Sequence, residues 1–208
     1  VVVLHGIART KRHMKWVASY LAKDFDVINL SYPSTKFTIE ELTQIINKEI
    51  TSNITQDHKK IHFVGYSLGG LMVRALIHKY SYDNLGRVVQ IAPPNNGSEI
   101  ADLVKNFRPF QKLFGPAGQK LITDQSKFGH IFGEVNYELG IIAGNFSIDP
   151  ISSIFLPGSN DGKVSVESTK LPKMKDHVII RVAHTLFPFS RKTHKHVLHF
   201  LLHGKFDK

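Results

Sequence analysis

The stretch that decides the fold is Lys60-Ile61-His62-Phe63-Val64-Gly65-Tyr66-Ser67-Leu68-Gly69. An apolar, strand-like run precedes the serine, and apolar residues at helical spacing follow it. This pattern predicts a strand that turns sharply into a helix, with Ser67 on the turn. Glycines two residues before and two residues after the serine avoid clashes in so tight a turn, and its hydroxyl then stands clear of the sheet. Ser67 is therefore the candidate nucleophile.

Strand-like and helix-like segments alternate along the rest of the chain. Strands are predicted at about 1–4, 25–30, 61–64, 87–92, 137–143 and 177–183, and helices at about 11–23, 38–53, 67–82 and 192–203. The apolar run 1–4 is typical of a strand buried on both faces, and Thr38 with Glu41 resembles a capping box. Parallel strands need crossover connections of about a dozen residues or more, usually helices. The fold class is therefore predicted as α/β, with a mostly parallel sheet and helices on both faces.

The composition limits the class of protein. The 208 residues are 42% hydrophobic and 21% charged, which predicts one soluble domain over 1–208. No apolar run approaches the roughly 18 residues of a membrane-spanning helix. The absence of cysteine excludes disulfides, thiolate metal sites and cysteine nucleophiles, and it leaves the cellular compartment open.

The charge is strongly positive and uneven. The formal net charge is +10, and residues 170–208 carry nine Lys or Arg against Asp176 and Asp207. Such a charge is typical of a solvated surface, and it also fits peripheral contact with an anionic lipid surface. No nucleic-acid-binding motif accompanies the charge, so nucleic acid is not an expected partner.

A serine hydroxyl needs a base to accept its proton, usually a histidine that a carboxylate holds in place. In open parallel sheets, functional side chains follow the carboxyl ends of the strands. His184 follows the last predicted strand at that end and is the preferred base. His194 and His196, further along the chain, are the alternatives, and His62 lies inside a strand and is expected to be packed.

The carboxylate partner is sought between the last two predicted strands. Asp161 lies in the turn-rich loop 157–162, which can aim a short side chain inward. Asp149 directly precedes Pro150 and resembles an ordinary turn residue, so it is the alternative. Asp176 falls at the wrong end of the last strand. The sequence therefore predicts Asp161 as the partner of the base.

The chain order serine, aspartate, histidine is that of α/β-hydrolases. Over nearly its whole length the chain resembles the small bacterial lipases and esterases of that superfamily, which are compact and lack a large separate cap. The resemblance is carried by Leu4-His5-Gly6-Ile7, Gly65-Tyr66-Ser67-Leu68-Gly69-Gly70, Ala92-Pro93-Pro94-Asn95-Asn96-Gly97-Ser98, Asn160-Asp161-Gly162 and His184-Thr185. It implies a catalytic triad, an acyl-enzyme, a lipid-like acyl-ester substrate and no metal or organic cofactor.

The resemblance also implies further site residues. In such enzymes two backbone N–H groups stabilise the oxyanion, and these map to Ile7 and Leu68. The side chains or backbone of His5, Gly6 and Tyr66 are expected to bind substrate. Tyr66 is a departure, since such lipases often have a histidine before the serine, and we expect the exchange to alter the wall of the pocket.

The sequence leaves alternatives open for the insertion, for the type of reaction and for a possible metal site. The insertion at about 99–135 contains Phe107, Phe110 and Phe114 among basic residues, which fits either a helix packed on the body or a small lid. The same triad supports acyl transfer or amide hydrolysis as well as ester hydrolysis, and a binding module of this fold could lack turnover. His196, His199 and His203 could share a helical face and bind a metal, although a solvated basic helix explains them as well.

Overall fold

The structure is a computed structural model that describes residues 1–55, 58–97, 128–149 and 156–207. The phenylalanine-rich segment 105–114 and most of the predicted insertion fall outside these ranges. The candidate lid and the single-domain boundary therefore stay predictions.

A six-stranded sheet forms the centre of the molecule. Its strand order is β2-β1-β3-β4-β5-β6, and every neighbouring pair is parallel. The strands are β1 (Val2–Leu4), β2 (Ile28–Leu30), β3 (Ile61–Tyr66), β4 (Leu85–Ile91), β5 (Leu139–Gly144) and β6 (Asp176–Ile180). Strand β2 lies on one side of β1, and strands β3 to β6 follow in order on the other side. The carboxyl ends of β1 and β3 therefore lie side by side near the reversal of strand order, where α/β sheets place their sites.

Helices cover both faces of the sheet, as predicted. They are α1 (Lys15–Leu21), α2 (Ile39–Asn53), α3 (Leu68–Tyr80), α4 (Phe128–Phe132), α5 (Val166–Thr169) and α6 (Arg191–His203), with a 3₁₀ helix at His184–Phe189. One core layer contains buried residues of α2 and α3, and the other contains buried residues of α1 and α6. Within the described ranges, no helix is both long and apolar enough to cross a membrane.

Strand β1 shows why the apolar run at the start of the chain is continuous. Val2 and Leu4 belong to the core layer of α2 and α3, whereas Val3 belongs to the layer of α1 and α6. Successive strand residues point to opposite faces, so a strand covered on both faces needs apolar residues at every position. The prediction of a strand buried on both faces is confirmed.

Several predicted element boundaries differ from those in the structure, and two of the differences have a local cause. Helix α1 begins at Lys15 rather than at residue 11, because the N–H groups of residues 13–15 bond three residues back and form turns. Strand β6 ends at Ile180 rather than at residue 183, because the Val182 N–H turns back to the Ile180 carbonyl. The predicted start of α2 is confirmed, since Thr38 and Glu41 form a complete capping box.

Candidate active site

Ser67 lies on the turn between β3 and α3, at the carboxyl end of a central strand. Its backbone has φ 54° and ψ −122°, a conformation that residues with a side chain rarely adopt. The Ser67 N–H donates to the Ile91 carbonyl at 2.8 Å, and the Ser67 carbonyl accepts from Gly70 N–H at 2.9 Å. These bonds to β4 and α3 hold the strained turn in place.

The two glycines beside the serine are required by close backbone contacts. A Cβ on Gly65 would lie 2.4 Å from the Gly69 carbonyl oxygen, and a Cβ on Gly69 would lie 2.5 Å from the Leu4 carbonyl oxygen. Neither contact is sterically allowed, because backbone atoms cannot move aside as a flexible side chain can. The turn therefore brings α3 directly onto the ends of β1 and β3.

His184 and Asp161 come together with Ser67 at this edge of the sheet. The His184 Nε2 atom is 3.2 Å from Ser67 Oγ, and His184 Nδ1 is 2.8 Å from Asp161 Oδ2. Asp161 is buried, and its Oδ1 accepts from the N–H groups of Lys163 at 2.9 Å and Val164 at 2.8 Å. The buried carboxylate thus accepts hydrogen bonds from two backbone N–H groups and from the imidazole. These bonds replace its hydrogen bonds to water and offset the cost of burying its charge.

The alternative residues lie elsewhere. The His194 Nε2 atom is 2.8 Å from the Pro188 carbonyl, and His196 is buried in α6, with its ring 5.9 Å from the ring of Phe206. Asp149 pairs with Lys163 at 3.2 Å. None of the three is hydrogen-bonded to Ser67 or His184.

The histidines of α6 give no metal centre in the described part of the chain. The rings of His199 and His203 are 4.5 Å apart, but His196 points into the protein. No group of three or more His, Asp or Glu side chains is placed to share an ion in the ranges that the structure describes.

His62, predicted to be packed, accepts a hydrogen bond from the Arg87 N–H through Nδ1 at 2.8 Å.

Ile7 and Leu68 lie on the two backbone segments that meet at the serine. A Cβ on Gly6 would lie 3.2 Å from Ser67 Cβ, so the loop after β1 passes directly over the turn. Leu68 is the first residue of α3, where N–H groups have no partner within the helix. In the described ranges neither the Ile7 N–H nor the Leu68 N–H donates to a protein acceptor. Among the described residues, both groups are therefore available as hydrogen-bond donors.

His5 directly follows β1, and its predicted role in binding substrate stays a prediction. Its side chain is fully buried, with its ring stacked on that of Tyr32 at 4.2 Å. His5 Nε2 accepts from the Tyr32 N–H at 3.2 Å, and so Nδ1 carries the proton and donates to the Gly6 carbonyl at 2.8 Å. Burial lowers the pKa of His5, which keeps this tautomer neutral. His5 therefore stabilises the loop that precedes Ile7.

Tyr66 is buried against His184, and its predicted role in binding substrate stays a prediction. Only 3% of the residue is exposed, and its hydroxyl donates to the His184 carbonyl at 2.9 Å. Its ring lies 5.3 Å from the imidazole of His184. Burial raises the pKa of Tyr66, so the hydroxyl stays protonated and remains a donor. Tyr66 therefore links the residue before the serine to the backbone of the histidine.

We expect Tyr66→Phe to lower kcat about five- to tenfold, the equivalent of the roughly 1 kcal/mol that one hydrogen bond contributes. KM should change little, because only 3% of Tyr66 is exposed. Steady-state kinetics on a soluble ester measure both constants. Tyr82→Phe is the matched control, since its hydroxyl donates to Asn47 Oδ1 at 2.8 Å in another part of the molecule. A fall in thermal stability with unchanged kcat would show that Tyr66 is only structural.

His13 lies beside the site and was missed by the sequence analysis. Its ring is 5.5 Å from the rings of Tyr66 and Phe189. Burial, followed by the charge of Arg9, lowers the pKa of His13 to about 4. His13 is therefore neutral at physiological pH and adds no positive charge next to His184. The sequence around His13 does not indicate a place beside the site, because its contact with Phe189 joins residues far apart in the chain.

A buried polar network supports the turn from behind. The Asn95 side-chain amide donates to Gln90 Oε1 and to the Thr169 carbonyl, both at 2.8 Å. Gln90 in turn donates to the Gly70 carbonyl at 2.7 Å, and Arg74 donates to Asn95 Oδ1 at 3.2 Å. The network joins α3 to the loop after β4 and to α5. The sequence motif 92–98 pointed to this loop but not to the role of Asn95.

The fold and the site together define the class of protein. A wholly parallel described sheet, a serine on a strained turn after its third strand, and an aspartate and a histidine from the loops after β5 and β6 are the arrangement of an α/β-hydrolase. The model of the palmitoyl protein thioesterase family matches residues 1–136, well over half of the chain. The chain belongs to that family, and it is an ester hydrolase.

Solved structures of low sequence identity share the fold. The mature lipase BlEst2 of Bacillus licheniformis superposes with a TM-score of 0.74 at 19% identity, over 88% of this chain and 84% of that chain. Phospholipase PlaB from Legionella pneumophila, in complex with thio-NAD, gives 0.67 at 18% identity, over 82% of this chain and 44% of that chain. The monoacylglycerol lipase of Paleococcus ferrophilus gives 0.62 at 16% identity, over 98% and 94%. A comparison with curated proteins gives no match.

Proposed function

We propose that this protein hydrolyses lipid-like acyl esters, thioesters included, through an acyl-enzyme on Ser67. The observation that carries the proposal is the continuous hydrogen-bonded chain from the Asp161 carboxylate through His184 to Ser67 Oγ. Membership of the palmitoyl protein thioesterase family supports a long acyl group, and the lipase-like fold is consistent with it.

Acylation follows from the positions of the three side chains. His184 Nε2 accepts the proton of Ser67 Oγ as the oxygen attacks the carbonyl carbon of the substrate. The carbonyl oxygen becomes an oxyanion, which the N–H groups of Ile7 and Leu68 stabilise by about 3 kcal/mol for each donor in comparable sites. The imidazolium then donates its proton to the leaving alcohol or thiol, and the acyl group stays on Ser67.

Deacylation uses the same groups in reverse. His184, neutral again, accepts a proton from a water molecule that attacks the acyl-enzyme. The N–H groups of Ile7 and Leu68 stabilise this second oxyanion as they did the first. When it collapses, His184 returns its proton to Ser67 Oγ and the free carboxylic acid leaves.

Asp161 acts through His184 alone. Asp161 Oδ2 accepts a hydrogen bond from the N–H at His184 Nδ1, so the lone pair of His184 Nε2 faces the serine. Its Oδ1 is fixed by two backbone donors, and the His184 N–H donates to the Asp161 carbonyl at 2.9 Å. The aspartate is thereby locked in one orientation, and it stabilises the imidazolium that forms in each step.

The experiment that tests the proposal compares one acyl group in three leaving-group contexts. We expect the protein to hydrolyse p-nitrophenyl esters and the matching thioesters, at least with short and medium acyl chains, and the p-nitroanilides far more slowly. Ser67→Ala provides the background. An inert panel, or activity confined to the anilides, would contradict the proposal, and transfer of the acyl group to an added alcohol in preference to water would instead indicate an acyltransferase.

A further inference from the structure

A groove of about 550 Å³ lies between α1 and the junction of the 3₁₀ helix with α6. Two large apolar side chains on it are exposed, Trp16 by 57% and Phe189 by 51%. We define the aromatic-cationic face as Trp16, Tyr20, Lys23, Leu186, Phe189 and Arg191. Large aromatic side chains are normally buried in a soluble protein, so an exposed cluster of them indicates a binding surface.

The geometry of two helices places the members of this face together. Trp16 and Tyr20 are four residues apart in α1, which puts them on one side of the helix, and Lys23 follows in the turn after the helix ends. The opposite side carries Val17 and Leu21, which are buried. In a 3₁₀ helix residues three apart are eclipsed, so Leu186 and Phe189 project in the same direction.

Cations surround the aromatic side chains. Lys23 Nζ lies 5.6 Å from the centre of the Tyr20 ring, and Arg191 lines the groove. Lys15 and Lys192 are exposed next to them in sequence, whereas Asp24 is the only acidic side chain adjoining these positions in sequence. An amphipathic surface of this kind, with rings between positive charges, fits the boundary between anionic lipid headgroups and acyl chains.

The face adjoins the candidate active site. His184 begins the 3₁₀ helix and Phe189 ends it. The ring of His13 bridges the two regions, at 5.5 Å from Phe189 and 5.5 Å from Tyr66. A lipid surface that contacts the face would therefore lie close to the turn that carries Ser67.

We propose that the aromatic-cationic face docks the protein on anionic lipid surfaces. The purpose of docking rests on the proposed function, since it would place Ser67 next to membrane-embedded acyl esters, but the binding itself is independent of turnover. Trp16 and Phe189 insert at the headgroup boundary, and Lys23 and Arg191 contact the negative headgroups. The occupant is a lipid surface rather than a protein, because exposed aromatic rings flanked by more cations than acidic side chains match an anionic surface with an apolar interior.

Co-sedimentation with vesicles tests the proposal directly. We expect the wild-type protein to bind vesicles of equal parts phosphatidylcholine and phosphatidylglycerol, and to bind pure phosphatidylcholine much more weakly. Replacing both Lys23 and Arg191 by Gln should weaken binding about 25-fold, at roughly fivefold for each lost cation near the membrane. Trp16→Ser with Phe189→Ser should weaken it by at least about tenfold.

Matched controls come from the opposite face of the sheet. Ile179 is 46% exposed on β6, and it points away from the core layer that contains Ile180 and α6. Lys48 and Lys79 are exposed on α2 and α3, which cover that other face. Lys48→Gln with Lys79→Gln removes the same charge as the cation variant, and Ile179→Thr makes an exposed apolar side chain polar outside the face. Both should leave vesicle binding unchanged.

Hydrolysis of a soluble short-chain ester separates failure of docking from failure of the proposed function. All these variants should keep that activity, because none of the substituted residues contacts Ser67, His184 or Asp161. Wild-type protein that does not bind anionic vesicles would overturn the docking proposal even if it cleaves the ester. Equal losses in the control variants would also overturn it. Concentration-dependent dimers that disappear in Trp16→Ser would show that a second copy, rather than lipid, covers the face.

Discussion

His184→Gln is expected to lower kcat by about a millionfold, the cost of removing the base from comparable serine hydrolases. Glutamine approximates the length of the imidazole and keeps polar atoms near Ser67, but its amide cannot accept a proton at neutral pH. Ser67 Oγ therefore loses its only hydrogen-bonded base among the described residues. Residual activity should come from the oxyanion donors and from substrate binding, so KM should change much less than kcat.

The control for this variant is His194→Gln. His194 is buried nearby, and its Nε2 is 2.8 Å from the Pro188 carbonyl, a hydrogen bond that a glutamine amide can replace. We expect near-wild-type kcat for this control on a p-nitrophenyl ester. If His194→Gln lost its turnover while His184→Gln kept most of it, the base would be misassigned.

Asp161→Asn is expected to lower kcat by about ten thousandfold, with little change in fold. Two backbone N–H groups bind Oδ1, so the asparagine must keep its oxygen there and turn its amide group toward His184. The amide donates to Nδ1, which moves the imidazole proton to Nε2. That tautomer points a proton at Ser67 and cannot accept one.

Asp149→Asn provides the comparison for Asp161→Asn. Asp149 pairs with Lys163 on a partly exposed loop, where a single ion pair contributes about 1 kcal/mol or less to stability. Its turnover should stay within about twofold of the wild type. A large loss in Asp149→Asn with full activity in Asp161→Asn would assign the carboxylate to the other loop.

Much of the fold could be predicted from local sequence patterns. The apolar run at Val2–Leu4 predicts burial on both faces, and Thr38 with Glu41 predicts the start of α2. Both predictions succeed because each depends on residues that are close in sequence. Element ends were less predictable. Strand β6 stops at Ile180 through a turn that apolar residues at 182 and 183 conceal.

The candidate triad could be proposed from the sequence because parallel strands all end at the same edge of the sheet. That rule selected His184 and Asp161 over residues at the other edge, and the structure brings both side chains to Ser67. The same rule says nothing about which way an individual side chain turns. It therefore could not predict that the side chains of His5 and Tyr66 are buried.

The contacts of Tyr66 and His13 depend on residues more than a hundred positions away. The hydroxyl of Tyr66 meets the carbonyl of His184 only after β3 and the 3₁₀ helix have been placed side by side. His13 likewise meets Phe189 only through the packing of α1 against the end of the chain. Such contacts leave no periodic signal in a single sequence, and they emerge only from the folded structure.

Acylation of Ser67 is the most direct test of the proposed mechanism. The protein would be mixed with an excess of a p-nitrophenyl acyl ester, quenched rapidly in acid, and analysed by intact and peptide mass spectrometry. We predict one acyl group per chain on the peptide that contains Ser67, and none in Ser67→Ala, which should also lose turnover. An acyl group on another residue, or undiminished turnover in Ser67→Ala, would contradict a mechanism in which Ser67 is the nucleophile.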